Sequence, residues 1–229
     1  MKIVIATLKK WNLKNFKKLQ KLYPHFKFIL IKDKESLNLS LIHSINPRFI
    51  FFPHWSYKIS QDIYQNYECI VFHMTDLPFG RGGSPLQNLI AQGIKKTKIS
   101  ALRVCEVLDG GDIYLKEPLD VSKGSAKKIY QESSEIIFFK MIPYILQNKP
   151  KPKPQSGEIV TFKRRTPEQS DLNALMNPAL GKLYDFIRML DAPSYPKAFL
   201  DWNGFEIQFS CVKQKKKSLI GRFKICRKS

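Results

Sequence analysis

His73 closes a short apolar run, Cys69-Ile70-Val71-Phe72, and is followed first by Leu77-Pro78 and then by Gly80-Arg81-Gly82-Gly83-Ser84-Pro85. Well downstream, a carboxylate stands on a glycine turn, Asp109-Gly110-Gly111. A histidine at a strand end beside a Gly-rich turn, with an acid available to pair with it, can move a proton during group transfer. The imidazole changes protonation near neutral pH, and a carboxylate orients the ring and stabilises its charged form. The glycines allow close backbone approach to a ligand, and Arg81 offers a guanidinium to an anionic group. The order Gly-Arg-Gly-Gly does not supply the Gly-x-Gly-x-x-Gly of a dinucleotide loop after a first strand, which excludes that reading.

These residues need a scaffold, and the hydrophobic pattern supplies one. Apolar runs at residues 2–7, 26–31, 48–52 and 68–72 predict strands; helical spacing at 12–22, 37–42 and 60–67 predicts helices between them. Strand and helix alternation implies an α/β fold with a mainly parallel, open, Rossmann-like sheet, and ligands then bind beyond the carboxyl ends of the strands, where His73 falls. Ser84 is placed as an N-cap with Pro85 at the first helical position, and Gly93 ends that helix. Strands are predicted at 98–107 and 112–119 around the Asp109 turn, and a long helix at 125–146 that Pro143 kinks or ends. Pro150-Lys151-Pro152-Lys153-Pro154 is a stiff, extended stretch. It divides the chain into a catalytic domain at 1–149, a linker at 150–157 and a small α+β extension at 158–229, with strands at 158–162, 197–202 and 205–212, a helix at 180–190 and a basic tail.

Hydrophobic residues make up 43% of the 229 residues, enough for a core. No apolar run reaches the length of a membrane span, and the first residues read as a strand rather than a signal peptide, so the expected location is the cytoplasm. The four cysteines lack metal-ligand spacing, so no metal is expected; Cys69 and Cys105, inside apolar runs, are expected to be buried thiols. His25, His43 and His54 are read as structural. The formal charge of +20 attracts anions such as phosphate, nucleotide or nucleic acid. Lysines spread over the whole chain are equally consistent with a solvated surface. Two basic clusters stand out, Lys163-Arg164-Arg165 and Lys213-Gln214-Lys215-Lys216-Lys217. Neither is interleaved with aromatics, which argues against nucleic acid as a partner.

The stretch from His73 to Pro85, with Asp109 and Gly111, resembles the folate-dependent formyltransferase family, whose pattern is Asn-x-His-x-Ser-Leu-Leu-Pro, then Arg-Gly-x-x-Pro, then an Asp-x-Gly turn. His73, Leu77, Pro78, Arg81, Gly82, Pro85, Asp109 and Gly111 match it; Thr75 and Asp76 replace the Ser-Leu pair, and Val71 stands at the family's asparagine. The resemblance continues more weakly through Ile187-Arg188 and residues 195–199. It implies transfer of a formyl group from 10-formyltetrahydrofolate to an amine, with His73 and Asp109 as the catalytic pair and Arg81, Gly82, Gly83 and Ser84 on the substrate side. It also implies that Trp55 or Tyr57 flanks the pterin, unless both are core aromatics, and that Glu106, Val107 and Leu108 offer it backbone groups. Val71 cannot donate the asparagine's hydrogen bond, and Asn88, Ser84 and Thr75 are candidate stand-ins. The short stretch after the linker and the wording around the glycines point to a nucleotide-linked amino sugar, of the UDP-4-amino-4,6-dideoxy type used for surface glycans, as the expected substrate, with a homodimer as the family expectation. The alternatives are formylation of methionyl-tRNA and, because of Val71, a non-catalytic folate or nucleotide-sugar binding protein.

Overall fold

A computed structural model describes residues 1–193 and 195–228. The chain runs β1 (Lys2–Ala6), α1 (Lys10–Leu22), β2 (Lys27–Ile31), α2 (Leu39–Ile45), β3 (Phe49–Phe52), α3 (Gln61–Asn66) and β4 (Cys69–His73). There follow β5 (Phe79–Gly82), α4 (Pro85–Ala91), β6 (Lys96–Arg103), β7 (Ile113–Asp120), α5 (Ala126–Ile136) and, after a π-helical turn at Ile137–Met141, α6 (Ile142–Asn148). The last elements are β8 (Val160–Phe162), two 3₁₀ turns, α7 (Leu180–Leu190), β9 (Ala198–Trp202), β10 (Phe205–Gln214) and β11 (Leu219–Arg227).

The main sheet has the order β2-β1-β3-β4-β6-β7. The first four strands are parallel, and β6 joins β4 antiparallel. The α/β fold with a mainly parallel sheet is as the sequence predicts. Every residue of β3 is buried, as are four of the five in β1. Such strands have no polar face, because crossover helices cover both sides. Val4, Ala6, Ile50, Phe52 and Cys69 form one apolar cluster with Ile42 of α2 and Ile63 of α3.

Contacts divide the chain into two units. The first comprises Met1–Arg81, Lys98–Leu119 and Gln131–Thr161; the second comprises Gly82–Thr97, Asp120–Tyr130 and Phe162–Ser229. Within the first, residues 150–157 run alongside β7, where Ile113 and Lys153 exchange backbone hydrogen bonds of 2.8 and 2.9 Å. Within the second, α7 packs against α4 and β10, and β9, β10 and β11 form an antiparallel sheet. Arg188, 3% exposed, donates to Asp185 and to the carbonyls of Gly124 and Val121, so Ile187-Arg188 is a fold-determining pair.

Three details depart from the sequence reading. The 125–146 helix is not ended by Pro143: the π turn lets Ile142 donate to the Ile137 carbonyl, and Pro143 then starts the next helix, where a missing N–H costs no bond. Cys105 is exposed rather than buried, because β6 stops at Arg103. The basic tail is the nine-residue strand β11. Among the described residues, no helix is long and apolar enough to cross a membrane.

A buried polar network fixes the carboxyl edge of β1 and β3. Thr7 Oγ1 and Asn12 Nδ2 both donate to the Pro53 carbonyl, Ser134 Oγ donates to Asn12 Oδ1 at 2.6 Å, and Asn15 Nδ2 donates to Ser134 Oγ at 2.8 Å. Beside it, Trp11 Nε1 donates to His54 Nδ1 at 3.3 Å, and His54 Nε2 meets Ser133 Oγ at 2.9 Å. Burial, with nearby Lys9 second, pushes His54 down to about 3, so the folded ring is neutral. The unfolded ring titrates near 6.5. Below that pH the unfolded chain gains a proton that the folded one does not. This stability is therefore complete above pH 6.5 and is lost as the pH falls toward 3. Replacing His54 by Gln should remove that part of the slope: between pH 7 and pH 4.5 wild type should lose about 2–3 kcal/mol more than His54→Gln in urea titrations. Parallel pH profiles would show that His54 is not buried neutral.

Candidate active site

His73 ends β4 at the carboxyl edge of the sheet and is 8% exposed. Its ring stands between two oxygens. Nε2 lies 2.7 Å from the Gly80 carbonyl, and Nδ1 lies 3.5 Å from Asp109 Oδ2. A carbonyl only accepts, so Nε2 carries a proton. An ionised Asp109 also only accepts, so a ring protonated on both nitrogens donates to both. Thr75 Oγ1 donates to the same Gly80 carbonyl at 3.3 Å. The loop between β4 and β5 is braced further by Asp76, which holds Lys116 Nζ at 2.6 Å and Lys98 Nζ at 3.0 Å. Burial works to raise the Asp76 carboxyl, but hydrogen bonds from Lys116 and then Lys98 outweigh it and keep it below the usual range.

Asp109 holds a left-handed backbone, φ +53°, which costs a non-glycine residue strain that its surroundings must offset. The turn is clamped from both sides. Gly110 N–H donates to the Val107 carbonyl at 2.9 Å. A Cβ on Gly111 would lie 1.8 Å from the Arg103 carbonyl oxygen, so only glycine fits. The Gln155 side chain completes the clamp. Its Nε2 donates to the Asp109 and Gly111 carbonyls, each at 2.8 Å, and its Oε1 accepts from Arg81 Nε and Nη2 at 3.1 and 2.7 Å.

The other expected site residues divide into two groups. In the first unit, Trp55 and Tyr57 follow β3, their rings edge to face with centroids 5.9 Å apart. Trp55 packs on the apolar cluster, as its core reading requires, but its indole N–H is buried without an acceptor. Glu106, Val107 and Leu108 are exposed just before Asp109. In the second unit, Gly82 is the last residue of β5, and Gly83 and Ser84 serve internal packing. A Cβ on Gly83 would lie 2.5 Å from Arg164, and Ser84 Oγ accepts from Arg165 N–H at 3.1 Å and from Tyr195 Oη at 3.2 Å. Ser84 thus occupies the N-cap position of α4 without a side-chain cap. Arg81 likewise points its guanidinium at Gln155.

Val71 packs against the apolar cluster, on the same face of β4 as His73 two residues on. The three candidate stand-ins already have partners. Thr75 donates to Gly80, Asn88 Nδ2 donates to the Gly83 and Lys163 carbonyls at 3.0 Å each, and Ser84 is engaged as described. An open cavity of about 530 Å³ is lined by Leu77, Tyr114, Lys116, Lys153 and Gln155 among others; His73 and Asp109 are not in its walls. Among the described residues, no group of three or more His, Cys, Asp or Glu is placed to hold a metal ion.

Sequence reasoning brought His73 and Asp109 together but missed Gln155 and the Gly80 carbonyl. A carbonyl has no sequence signal, and Gln155 directly follows the Pro-Lys stretch, in the 150–157 segment that reads as a linker.

A histidine–carboxylate pair at the carboxyl edge of a Rossmann-like sheet is suited to moving a proton during group transfer, and the comparisons with known proteins agree with that reading. The structure superposes on a methionyl-tRNA formyltransferase from Clostridium thermocellum with a TM-score of 0.96 and 46% identity over 99% of each chain. The chain belongs to the formyltransferase family. Residues 167–226 match the family model described as the methionyl-tRNA formyltransferase C-terminal domain. A methionyl-tRNA formyltransferase of Rickettsia bellii is 31% identical over 148 residues, 62% of this chain and 48% of that protein, so the match spans about half the length of that curated relative. A sugar N-formyltransferase from Shewanella has a TM-score of 0.70 over 97% and 96% of the two chains, but at 14% identity the likeness speaks for the fold alone.

These matches correct the expected substrate and partner. The nucleotide-linked amino sugar is overturned by the 46% identical relative that covers the whole chain and is a methionyl-tRNA formyltransferase. The argument that the stretch after the linker is too short for a tRNA-type C-terminal domain fails on the family model that matches it. With it falls the case against nucleic acid as a partner.

Gly111→Ala should lower the thermal midpoint, because the Arg103 carbonyl must move to admit the methyl group, at a cost of about 1–3 kcal/mol. A variant melting with the wild type would show that the Asp109 turn is not clamped.

Proposed function

We propose that the chain transfers a formyl group from 10-formyltetrahydrofolate to the amine of methionyl-tRNA. The observation that carries this reading is the nearly dry His73–Asp109 pair, with side chains 9% and 12% exposed, in a chain 46% identical to a methionyl-tRNA formyltransferase. The residues at the end of β3 fit a folate: the buried, unpartnered Trp55 N–H is a donor awaiting an acceptor, and Tyr57 is an exposed aromatic face. The exposed Glu106–Leu108 backbone has groups to offer a pterin edge. When bound, the folate supplies the formyl carbon, which gains its bond to the amine before its bond to N10 breaks.

The neutral amine attacks, its nitrogen becomes positive and the formyl oxygen negative. His73, protonated on both nitrogens, is the proposed donor to that oxygen once its Gly80 bond is exchanged for it. Asp109 stabilises the imidazolium, takes the amine proton through water and passes it on to N10 of the leaving folate, which restores the carboxylate. Val71 contributes no donor, so the oxygen is served by one group fewer than in the family pattern.

The second unit supports RNA as the carrier of the amine. On the antiparallel sheet Phe223, 68% exposed, shares a face with Trp202, 60% exposed, and with Arg227, while Arg222 and Lys224 of the same strand β11 stand on the opposite face. Exposed aromatics suit unpaired bases, and the exposed basic residues of the same strand suit phosphates. A cytoplasmic location accompanies this reading.

Purified protein given 10-formyltetrahydrofolate and methionyl-tRNA should yield formylmethionyl-tRNA. His73→Ala and Asp109→Asn should each cut the rate about 100- to 10,000-fold. Val71→Asn should raise it, by up to about 100-fold, if the missing donor limits the step. No formylation by protein that binds the folate would dismiss the tRNA reading; equal rates for wild type and His73→Ala would dismiss the proposed pair.

A further inference from the structure

We infer that Gln155 is a positioning residue that sets the geometry of His73 and Asp109, so that residues 150–157 act as part of the active-site support rather than as a spacer. The inference rests on the proposed role of that pair. It is carried by a circuit of hydrogen bonds closed by one ion-pair contact. His73 Nε2 donates to the Gly80 carbonyl at 2.7 Å, and Arg81, the next residue along β5, donates twice to Gln155 Oε1. Gln155 Nε2 donates to the carbonyls of Asp109 and Gly111, and Asp109 Oδ2 returns to His73 Nδ1 at 3.5 Å.

One amide thus joins β5, whose Gly80 carbonyl holds the imidazole, to the turn that presents the acid. The chemistry selects glutamine. The position must accept two bonds from a guanidinium and donate two to carbonyls, and only a side-chain amide offers both an acceptor oxygen and a two-proton donor. Glutamate could keep Arg81 but would set a carboxylate against two carbonyls; lysine could donate but not accept. Asp109 needs such a hold because its φ of +53° is unfavourable for a residue with a Cβ. The paired backbone bonds between Ile113 and Lys153 fix the approach of the segment two residues before Gln155. The neighbouring Ser156 is exposed and serves as a control.

The test is nitrogen NMR of the His73 ring in protein labelled on histidine, with melting temperature and turnover measured alongside. Gln155→Met, of similar length and without polar groups, and Gln155→Glu should both move the His73 Nδ1 signal toward its position in Asp109→Asn. Both should melt within about 2–4 °C of wild type, the shift that a loss of roughly 1 kcal/mol produces in a chain of this size. Where turnover is measurable, both should lower kcat, by about 100-fold at most, and leave the KM for the folate unchanged. Ser156→Ala should change none of these. An unmoved Nδ1 signal in either folded variant overturns the inference. Failure of both variants to fold overturns it too, because Gln155 would then be a stability element. If wild type proves inactive on methionyl-tRNA, the proposed function fails while the NMR comparison still decides the role of Gln155.

Discussion

An imidazole held between two oxygens in a nearly dry pocket governs the architecture around it. Left alone, the His73 ring would have to choose one acceptor, and its second nitrogen would be stranded away from water at a cost of about 1–3 kcal/mol. With the Gly80 carbonyl on one side and the Asp109 carboxylate on the other, both ring nitrogens have partners. Each of those oxygens must in turn be held still. That need accounts for the lysine-braced Asp76 in the loop before Gly80, the positive φ at Asp109, the glycine that alone fits at 111, and the amide of Gln155. The sheet contributes the edge from which β4 aims the ring. Its polar network of Thr7, Asn12, Asn15 and Ser134 keeps that edge from fraying where apolar packing ends.

The parts of the fold that were legible in the sequence are those set by local pattern. The buried runs ending at Ala6, Ile31, Phe52 and His73 gave strands because apolar residues facing both ways can be satisfied only between two helical layers. The His73 and Asp109 pairing was legible because Leu77-Pro78, Arg81-Gly82 and the Asp109 glycine turn match the formyltransferase pattern. Three kinds of feature were illegible. Hydrogen bonds to carbonyls, such as His73 to Gly80, leave no trace in residue type. The role of Gln155 depends on where a proline-rich segment lands, and its neighbours describe stiffness rather than destination. The π turn before Pro143 reverses the usual meaning of a proline in a helical run, since the shifted bond of Ile142 removes the penalty on which the expectation of a break relied.

The Gly-rich turn illustrates how one motif can be read in two ways. Glycines near a catalytic histidine suggest a cradle for a ligand, and the sequence offers no means to distinguish that from a packing joint. Here Gly83 admits the backbone of Arg164 against it, and Ser84 spends its hydroxyl on Arg165 and Tyr195. The same segment that reads as a basic cluster, Lys163-Arg164-Arg165, is therefore anchored through its main chain, which leaves side-chain charge on Lys163 and Arg164 exposed. A close approach that requires glycine and an exposed positive charge are produced by one contact.

Val71 follows the same logic of competing demands. Strand β4 offers one face to the apolar cluster of Ile50, Phe52 and Cys69, and Val71 lies on that face together with His73. A polar side chain there must find partners or lose the burial of its neighbours; a valine needs none and adds to the cluster. The gain in packing removes a donor from the position nearest the ring along the strand. Thr75 and Asn88 have their donors engaged, and Ser84 is held as the acceptor of two bonds. The stabilisation of a developing oxyanion then falls on the proposed acid itself, which makes the geometry of His73, and so the hydrogen-bonded ring that fixes it, matter more in this chain than in one that keeps the asparagine. A site with fewer donors has less tolerance for a misplaced one, and an extra support reaching in from residues 150–157 is what that loss of redundancy would favour.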